Sequence, residues 1–231
     1  MIAFIVGTSL INSTIYRDWS QKKVKTPYGA VTFKKNRNSI FMQRHGNPPL
    51  PPHRINHQAN IWAMKHLGVH EIIAINSIGS LKLAIKPGTF IIPDDFLSIW
   101  NVPTFFNDEM RFIVPHMDTN CAARLYKRCK SLKIPVKNGG IYIQTRGPRL
   151  ETKAEINLLK RFGDIVGMTM ASEATLCLEY DIPYASICSV DNFCHGIAKK
   201  PLTMDEIQMN VRKNLLHIEK LIESIHRETC Q

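Results

Sequence analysis

Arg44 and His45 stand together just before Gly46, at the end of the apolar run 39–43. A guanidinium and an imidazole beside a glycine suit an anion such as phosphate, because charge-assisted donors form the strong hydrogen bonds. Five other apolar runs end in polar or small residues of the same kind. Gly7-Thr8-Ser9 follows 2–6, Asn76-Ser77-Ile78-Gly79 follows 71–75, and Thr145-Arg146-Gly147-Pro148 follows 140–144. Met168-Thr169 closes 164–168, and Asp191-Asn192 follows 184–190. Open α/β sheets bind ligands at the carboxyl ends of their strands. Six such ends suggest one shared pocket. Taken singly, these residues have plainer readings: Thr8 fits a helix N-cap and Arg44 an exposed ion pair.

The residues converge only if the runs are strands with helices between them. Seven runs, at 2–6, 39–43, 71–75, 89–92, 140–144, 164–168 and 184–190, are short and apolar, as strands are when helices cover both sheet faces. Helical spacing fills 56–67 and stops at Gly68, a natural C-terminal cap. Segments 120–132 and 151–162 follow the same logic. The last, 203–228, aligns Ile207, Val211, Leu215, Ile218, Leu221, Ile222 and Ile225 on one stripe, with Thr203 and Glu206 spaced as a capping box. No repeat, low-complexity stretch or linker breaks the pattern. The expectation is one α/β domain over residues 1–231.

Composition narrows the classes. The 231 residues are 44% hydrophobic, enough for a sizeable core. No apolar run approaches the roughly 18 residues of a spanning helix, and the short N-terminal run lacks a preceding basic segment. A cytoplasmic protein without a membrane partner is expected. Cys121, Cys129, Cys177, Cys188, Cys194 and Cys230 form no C-x-x-C pair and no zinc-ligand rhythm. They read as reduced structural residues, with neither disulfide nor metal. Thirty Lys and Arg against 19 Asp and Glu give a net charge of +11, which draws anions, nucleic acid included. The clusters Lys22-Lys23, Lys34-Lys35 and Lys199-Lys200 lack the interleaved aromatics of a single-strand platform. A basic nucleic-acid-binding protein is the rival reading, and it leaves the pattern of run ends unexplained.

Over nearly its whole length the sequence resembles the trimeric nucleoside phosphorylases, the family of purine nucleoside phosphorylase and the 5′-methylthio-nucleoside phosphorylases. The first markers are Gly7-Thr8, Thr26-Pro27-Tyr28-Gly29, Arg44-His45-Gly46 and Asn56-His57-Gln58-Ala59-Asn60-Ile61-Trp62-Ala63. Asn76-Ser77-Ile78-Gly79-Ser80-Leu81, Gly147-Pro148-Arg149-Leu150-Glu151-Thr152 and Gly167-Met168-Thr169 complete the set. The resemblance implies a mixed central sheet, partly barrel-like, flanked by helices. It implies phosphate-dependent cleavage of a purine nucleoside to free base and sugar 1-phosphate. Inorganic phosphate is then a co-substrate, no cofactor or metal is needed, and the assembly is a homotrimer or a dimer of trimers.

The same resemblance distributes the site residues. Phosphate falls to Thr8, Arg44, His45 and Thr169, with backbone near Ser77. The ribose lies on Met168, which read alone is also an ordinary core methionine. The next residues, Met170-Ala171-Ser172-Glu173, depart from the family's Thr-x-Pro-Glu. Ile78, Gly79, Leu150, Glu151 and Asn192 border the base, with Asn192, Glu151 and His45 carrying catalysis. Members that cleave 6-oxopurines are similar to this chain in having a glutamate and an asparagine at these two places. A carboxylate accepts from N1–H, and an amide donates to O6 and N7. Members that cleave 6-aminopurines, such as 5′-methylthioadenosine, have serine and aspartate instead. Two competing readings stay open: Glu151 as an acid in a helix first turn, and Asp191 in the pocket in place of Asn192. Met204 stands where the purine nucleoside enzymes place a 5′-hydroxyl-binding histidine, so 5′-methylthioinosine joins inosine and guanosine as a candidate. His195 reads as a solvated loop residue. His116 resembles the residue a neighbouring subunit inserts over the sugar, or is a surface histidine. Ser9 and Ser172 also leave room for a fold that binds nucleosides without turning them over.

Overall fold

A computed structural model describes residues 1–11, 13–100 and 102–229. In chain order the strands are β1 (Ile2–Val6), β2 (Ser20–Thr26), β3 (Gly29–Asn36), β4 (Ser39–Gln43), β5 (Glu71–Ser80) and β6 (Phe90–Ile92). They continue with β7 (Asp95–Ser98), β8 (Val136–Asn138), β9 (Ile141–Gln144), β10 (Ile165–Gly167) and β11 (Tyr184–Phe193). The helices are α1 (His57–His66), α2 (Thr119–Ser131), α3 (Lys153–Leu159), α4 (Met170–Glu179) and α5 (Met204–Thr229). All the strands join one mixed sheet in the order β2-β3-β4-β1-β5-β10-β9-β7, with β11, β6 and β8 branching from β5.

Alternation between two buried faces explains the near-continuous apolar runs of the central strands. In β1, Ala3 and Ile5 face one core while Phe4 and Val6 face the other. In β5, Ile72 and Ala74 oppose Ile73 and Ile75 in the same way. α1 and α4 cover the first face through Ile61, Met64, Met170 and Leu176. α2 and α5 cover the second through Leu125, Cys129, Ile218 and Leu221. A smaller cluster under α3 joins Ile156 and Leu159 to Ile143 and Val166. The five described cysteines are free and buried, and Cys230 lies outside the described residues.

The strand at 71–75 does not end in a turn. It continues to Ser80, because Gly79 and Ser80 find a new antiparallel partner in β10 while β11 stays alongside. β5 therefore has β1 and β11 as neighbours at first, then β10 and β11. This fork is the barrel-like feature of the sheet. β1, β4, β5 and β11 run parallel, so Val6, Gln43, Ile75 and Ile187 lie level. β10 runs the other way and returns its carboxyl end towards Asn76.

The β2–β3 hairpin and α4 had no expectation. β2 reads Ser-Gln-Lys-Lys-Val-Lys-Thr and buries none of its residues fully, so its apolar signal is nearly absent. α4 has the opposite character: most of it is buried, and no amphipathic stripe marks it. α3 is shorter than 151–162. Thr152 caps it in a complete capping box with Glu155, which leaves Glu151 outside the helix. At α5, the Thr203 hydroxyl accepts from the Glu206 N–H at 3.3 Å.

Candidate active site

A cavity of about 220 Å³ opens where these chain segments meet. Thr8, Arg44, His45, Ser77, Ile78, Gly79, Leu150, Glu151, Met168, Thr169, Asn192 and Met204 all border it. Those are all the residues expected at the site except His116. Pro52, Cys194, Leu202 and Ile207 border it as well and had drawn no expectation, and so does His195, which had read as a loop residue.

Arg44 is buried, and its charge is answered inside the protein. Nε donates to Glu173 Oε1 at 2.6 Å and Nη2 to Oε2 at 3.2 Å. Nη1 and Nη2 also donate to the Ile75 and Ile5 carbonyls at 2.7 and 3.1 Å. A second Nη1 N–H has no partner among the described residues, and Nη1 lies against Gly7, where a Cβ would stand only 2.5 Å away. Burial alone lowers the guanidinium pKa, but the Glu173 carboxylate outweighs it, and the net shift is upward. Arg44 is thus neither exposed nor an unopposed cation. Glu173 is further held by the Tyr184 hydroxyl at 3.0 Å. Glu173 was noted in the sequence as part of a family motif, but its pairing with Arg44, 129 residues away, and with Tyr184 was not.

Hydroxyl orientation follows from the neighbours. The Ser186 hydroxyl donates to Asn76 Oδ1 at 2.7 Å, and Asn76 Nδ2 donates to Thr169 Oγ1 at 2.8 Å. Thr169 Oγ1 therefore accepts from the protein and keeps its own proton to donate into the cavity. Thr8 is exposed at the rim in a short 3-10 turn whose N-cap position is Gly7, so it caps nothing. His45 Nδ1 lies 2.7 Å from the Leu50 carbonyl. A carbonyl only accepts, so Nδ1 carries the proton and Nε2 offers a lone pair in the neutral ring. Burial and the charge of Arg44 hold the imidazole below its ordinary pKa, against the pull of the Leu50 carbonyl.

At another part of the wall, Glu151 and Asn192 present complementary groups. Thr145 Oγ1 donates to Glu151 Oε1 at 2.6 Å, which fixes the carboxylate and leaves its second oxygen to accept. β11 bulges between Val190 and Asn192, so Asn192 rather than Asp191 comes level with Gly79. Asn192 borders the cavity, while Asp191 turns inward and is fully buried. Gly79 has no room for a side chain: a Cβ would meet Cys194 Sγ at 2.5 Å and Asn192 Nδ2 at 3.2 Å. Met168, half-buried, forms wall rather than core, and Met204, the first residue of α5, is largely exposed beside Leu202 and Ile207.

His116 is absent from this wall. It sits exposed on the irregular segment between β7 and α2 and borders a separate cavity with Asp118, Ile182 and Tyr184. The segment is tied down earlier, where Glu179 accepts from the Thr104 hydroxyl and the Phe105 N–H, each at 2.6 Å. Beyond that anchor, Met110, Phe112 and Val114 are almost wholly exposed.

Fold and cavity together define an α/β enzyme with its site built at strand ends. The chain belongs to the phosphorylase superfamily, whose family model matches residues 2–227. It is 37% identical to a probable 6-oxopurine nucleoside phosphorylase of Archaeoglobus fulgidus, covering 100% of this chain and 99% of the relative. It is 38% identical to a probable S-methyl-5′-thioinosine phosphorylase of Methanocaldococcus jannaschii, covering 96% and 90%. Among solved structures, a mutant of adenosine/methylthioadenosine phosphorylase from Schistosoma mansoni, in complex with methylthioadenosine, superposes with a TM-score of 0.87. That match has 25% identity and covers 100% of this chain and 92% of the other.

Proposed function

We propose that this chain is a purine nucleoside phosphorylase that cleaves 6-oxopurine nucleosides with inorganic phosphate. The products are the free base and a ribose 1-phosphate. The observation that carries this reading is a single cavity bordered both by the donor set of Arg44 and Thr169 and by the acceptor–donor pair of Glu151 and Asn192. The names borne by the relatives at 37% and 38% identity, a 6-oxopurine and a thioinosine phosphorylase, support the same base class.

In this mechanism Thr8, Thr169, the spare Arg44 N–H and backbone near Ser77 hold the phosphate. His45, neutral, accepts a hydrogen bond from a phosphate or sugar hydroxyl. The ribose rests on Met168 and the phosphate attacks C1′ from the face opposite the base, through a loose, cation-like transition state. Asn192 donates to O6 and N7 as charge builds on the leaving purine, and Glu151 accepts from N1–H. Fixed donors aimed at developing charge are the main source of acceleration, together with positioning. The reaction needs neither metal nor cofactor. Pro52, Leu202, Met204 and Ile207 give the remaining wall an apolar character, which favours 5′-methylthioinosine among the substrates. The active assembly is a cytoplasmic homotrimer in which His116 reaches a neighbouring subunit's sugar site.

A phosphorolysis panel of inosine, guanosine, adenosine, 5′-methylthioadenosine and 5′-methylthioinosine tests the reading. Hypoxanthine release that requires phosphate is expected from inosine and methylthioinosine. Rapid cleavage of the adenosine compounds with inosine inert would overturn the base assignment, and release without phosphate would make the enzyme a hydrolase.

A further inference from the structure

Asp191 is the extra residue of the β11 bulge, and it is fully buried with no cationic partner among the described residues. Burying a lone carboxylate is costly unless hydrogen bonds compensate. Those bonds are unevenly shared. Oδ1 accepts from the Ser189 hydroxyl at 2.6 Å and from Asn214 Nδ2 at 3.0 Å. Among the described residues, Oδ2 accepts only from the Ser77 hydroxyl. Oδ2 is therefore the one oxygen with room for a proton. Ser77 is the one residue of β5 that is not fully buried, and it borders the cavity beside Thr8 and Thr169. Asn210, also on α5, donates to the Asp191 carbonyl at 2.8 Å. The groups facing Asp191 are thus Ser77 from β5, Ser189 from its own strand, and Asn210 and Asn214 from α5. The titratable neighbour is Cys188, whose thiol Asp191 helps to push up. Burial already raises the Asp191 carboxyl above the usual range, against the hydrogen bonds it accepts.

We infer that Asp191 and Ser77 form a proton-linked gate on the anion end of the cavity, so that binding a dianion is coupled to uptake of one proton at Asp191 Oδ2. With Asp191 ionised, the Ser77 proton is committed to Oδ2 and the serine turns only lone pairs to the cavity, which oppose an anion. When a proton from water adds to Oδ2, the new O–H donates to Ser77 Oγ, and the Ser77 proton is released to donate to the anion. The proposal rests on the phosphate end being where the reading above puts it.

The probe is sulfate, which stays a dianion throughout the working range. Its binding is measured calorimetrically between pH 7 and 9 in buffers of different ionisation enthalpy, which counts protons taken up. The wild-type protein is expected to take up to one proton, its affinity falling by up to about tenfold per pH unit at full coupling. Asp191→Asn keeps an oxygen for Ser189 and Asn214 and puts an N–H donor against Ser77. It is expected to bind sulfate at least as tightly, with no proton uptake and a flat pH profile. A part that was only structural would instead lose affinity at every pH. Ser77→Ala, which removes the intervening hydroxyl, is expected to lose the uptake too. Sulfate binding without uptake in the wild type, or equal uptake in Asp191→Asn, overturns the gate alone. No sulfate binding to the wild type removes the phosphate site and the gate together.

Discussion

At the scale of single residues, function depends on which atoms are already committed. Glu151 gives one oxygen to Thr145 and keeps the other free. Replacing Thr145 with Val is expected to cut kcat/KM for inosine by about tenfold, the worth of one hydrogen bond to a charged group, without changing KM for phosphate. Steady-state kinetics with each substrate varied in turn decides it, and an equal effect on phosphate would show a general distortion. Asn192→Asp replaces a donor with an acceptor where negative charge develops. A fall of about 100-fold in kcat/KM for inosine is expected, the usual cost of losing such a donor. Unchanged turnover would place residue 192 outside the working site. That Glu151 and Asn192 would border one cavity was legible through the family resemblance of the segments that carry them. The bonds that hold the phosphate side were not legible: the pairing of Arg44 with Glu173 and of Asn76 with Thr169 joins residues far apart in sequence. The choice between Asp191 and Asn192 needed the bulge, a feature of pairing between strands.

Among elements, the clearest lesson comes from contrasting α5 with α4. α5 has one apolar face and one wet face, so its period shows in the sequence, whereas α4 and the lysine-rich hairpin hide for opposite reasons, one too buried and the other too exposed. α1 was read almost to the residue, with Asn56 capping it by accepting from the Ala59 N–H at 2.9 Å. Its first residue carries an unsuspected liability. His57 is buried, its Nδ1 has no partner among the described residues, and burial, Arg44 and His45 together hold its pKa down to about 3. Folding therefore favours the neutral ring. An imidazole depressed from its ordinary 6.5 gives stability that is complete above pH 6.5 and is lost as pH falls towards 3. The loss attributable to this group is about 1.4 kcal/mol per pH unit in that window. Urea unfolding at pH 7 and at pH 4.5 should show His57→Phe losing less stability on acidification than the wild type, by roughly 2–3 kcal/mol. Parallel losses in the two proteins would mean that His57 does not report the acid limb.

For the molecule as a whole, no described helix is long and apolar enough to cross a membrane, and the fork of the sheet holds both arms in one body. Several large apolar side chains are nonetheless exposed. Met110, Phe112 and Val114, 93%, 86% and 86% exposed, alternate along the segment that ends at His116. Exposed apolar side chains of this kind suit an interface such as the proposed homotrimer requires. On the proposed homotrimer, changing all three to Ser is expected to shift sedimentation from trimer to monomer and to lower nucleoside turnover, with the fold intact by circular dichroism. A wild-type chain that sediments as a monomer would refute the trimer. The fork carries one more consequence. Glu151 and Asn192 hang from β9 and β11, on opposite sides of β5, whereas Thr8, Arg44 and His45 follow β1 and β4. Thr8, Arg44 and His45 thus have anchorages apart from Glu151, whereas Ser77 ties the anion end to Asp191 of β11. A new loop grafted after β9 alone is therefore the redesign expected to retune which heterocycle is released while leaving the nucleophile's berth intact.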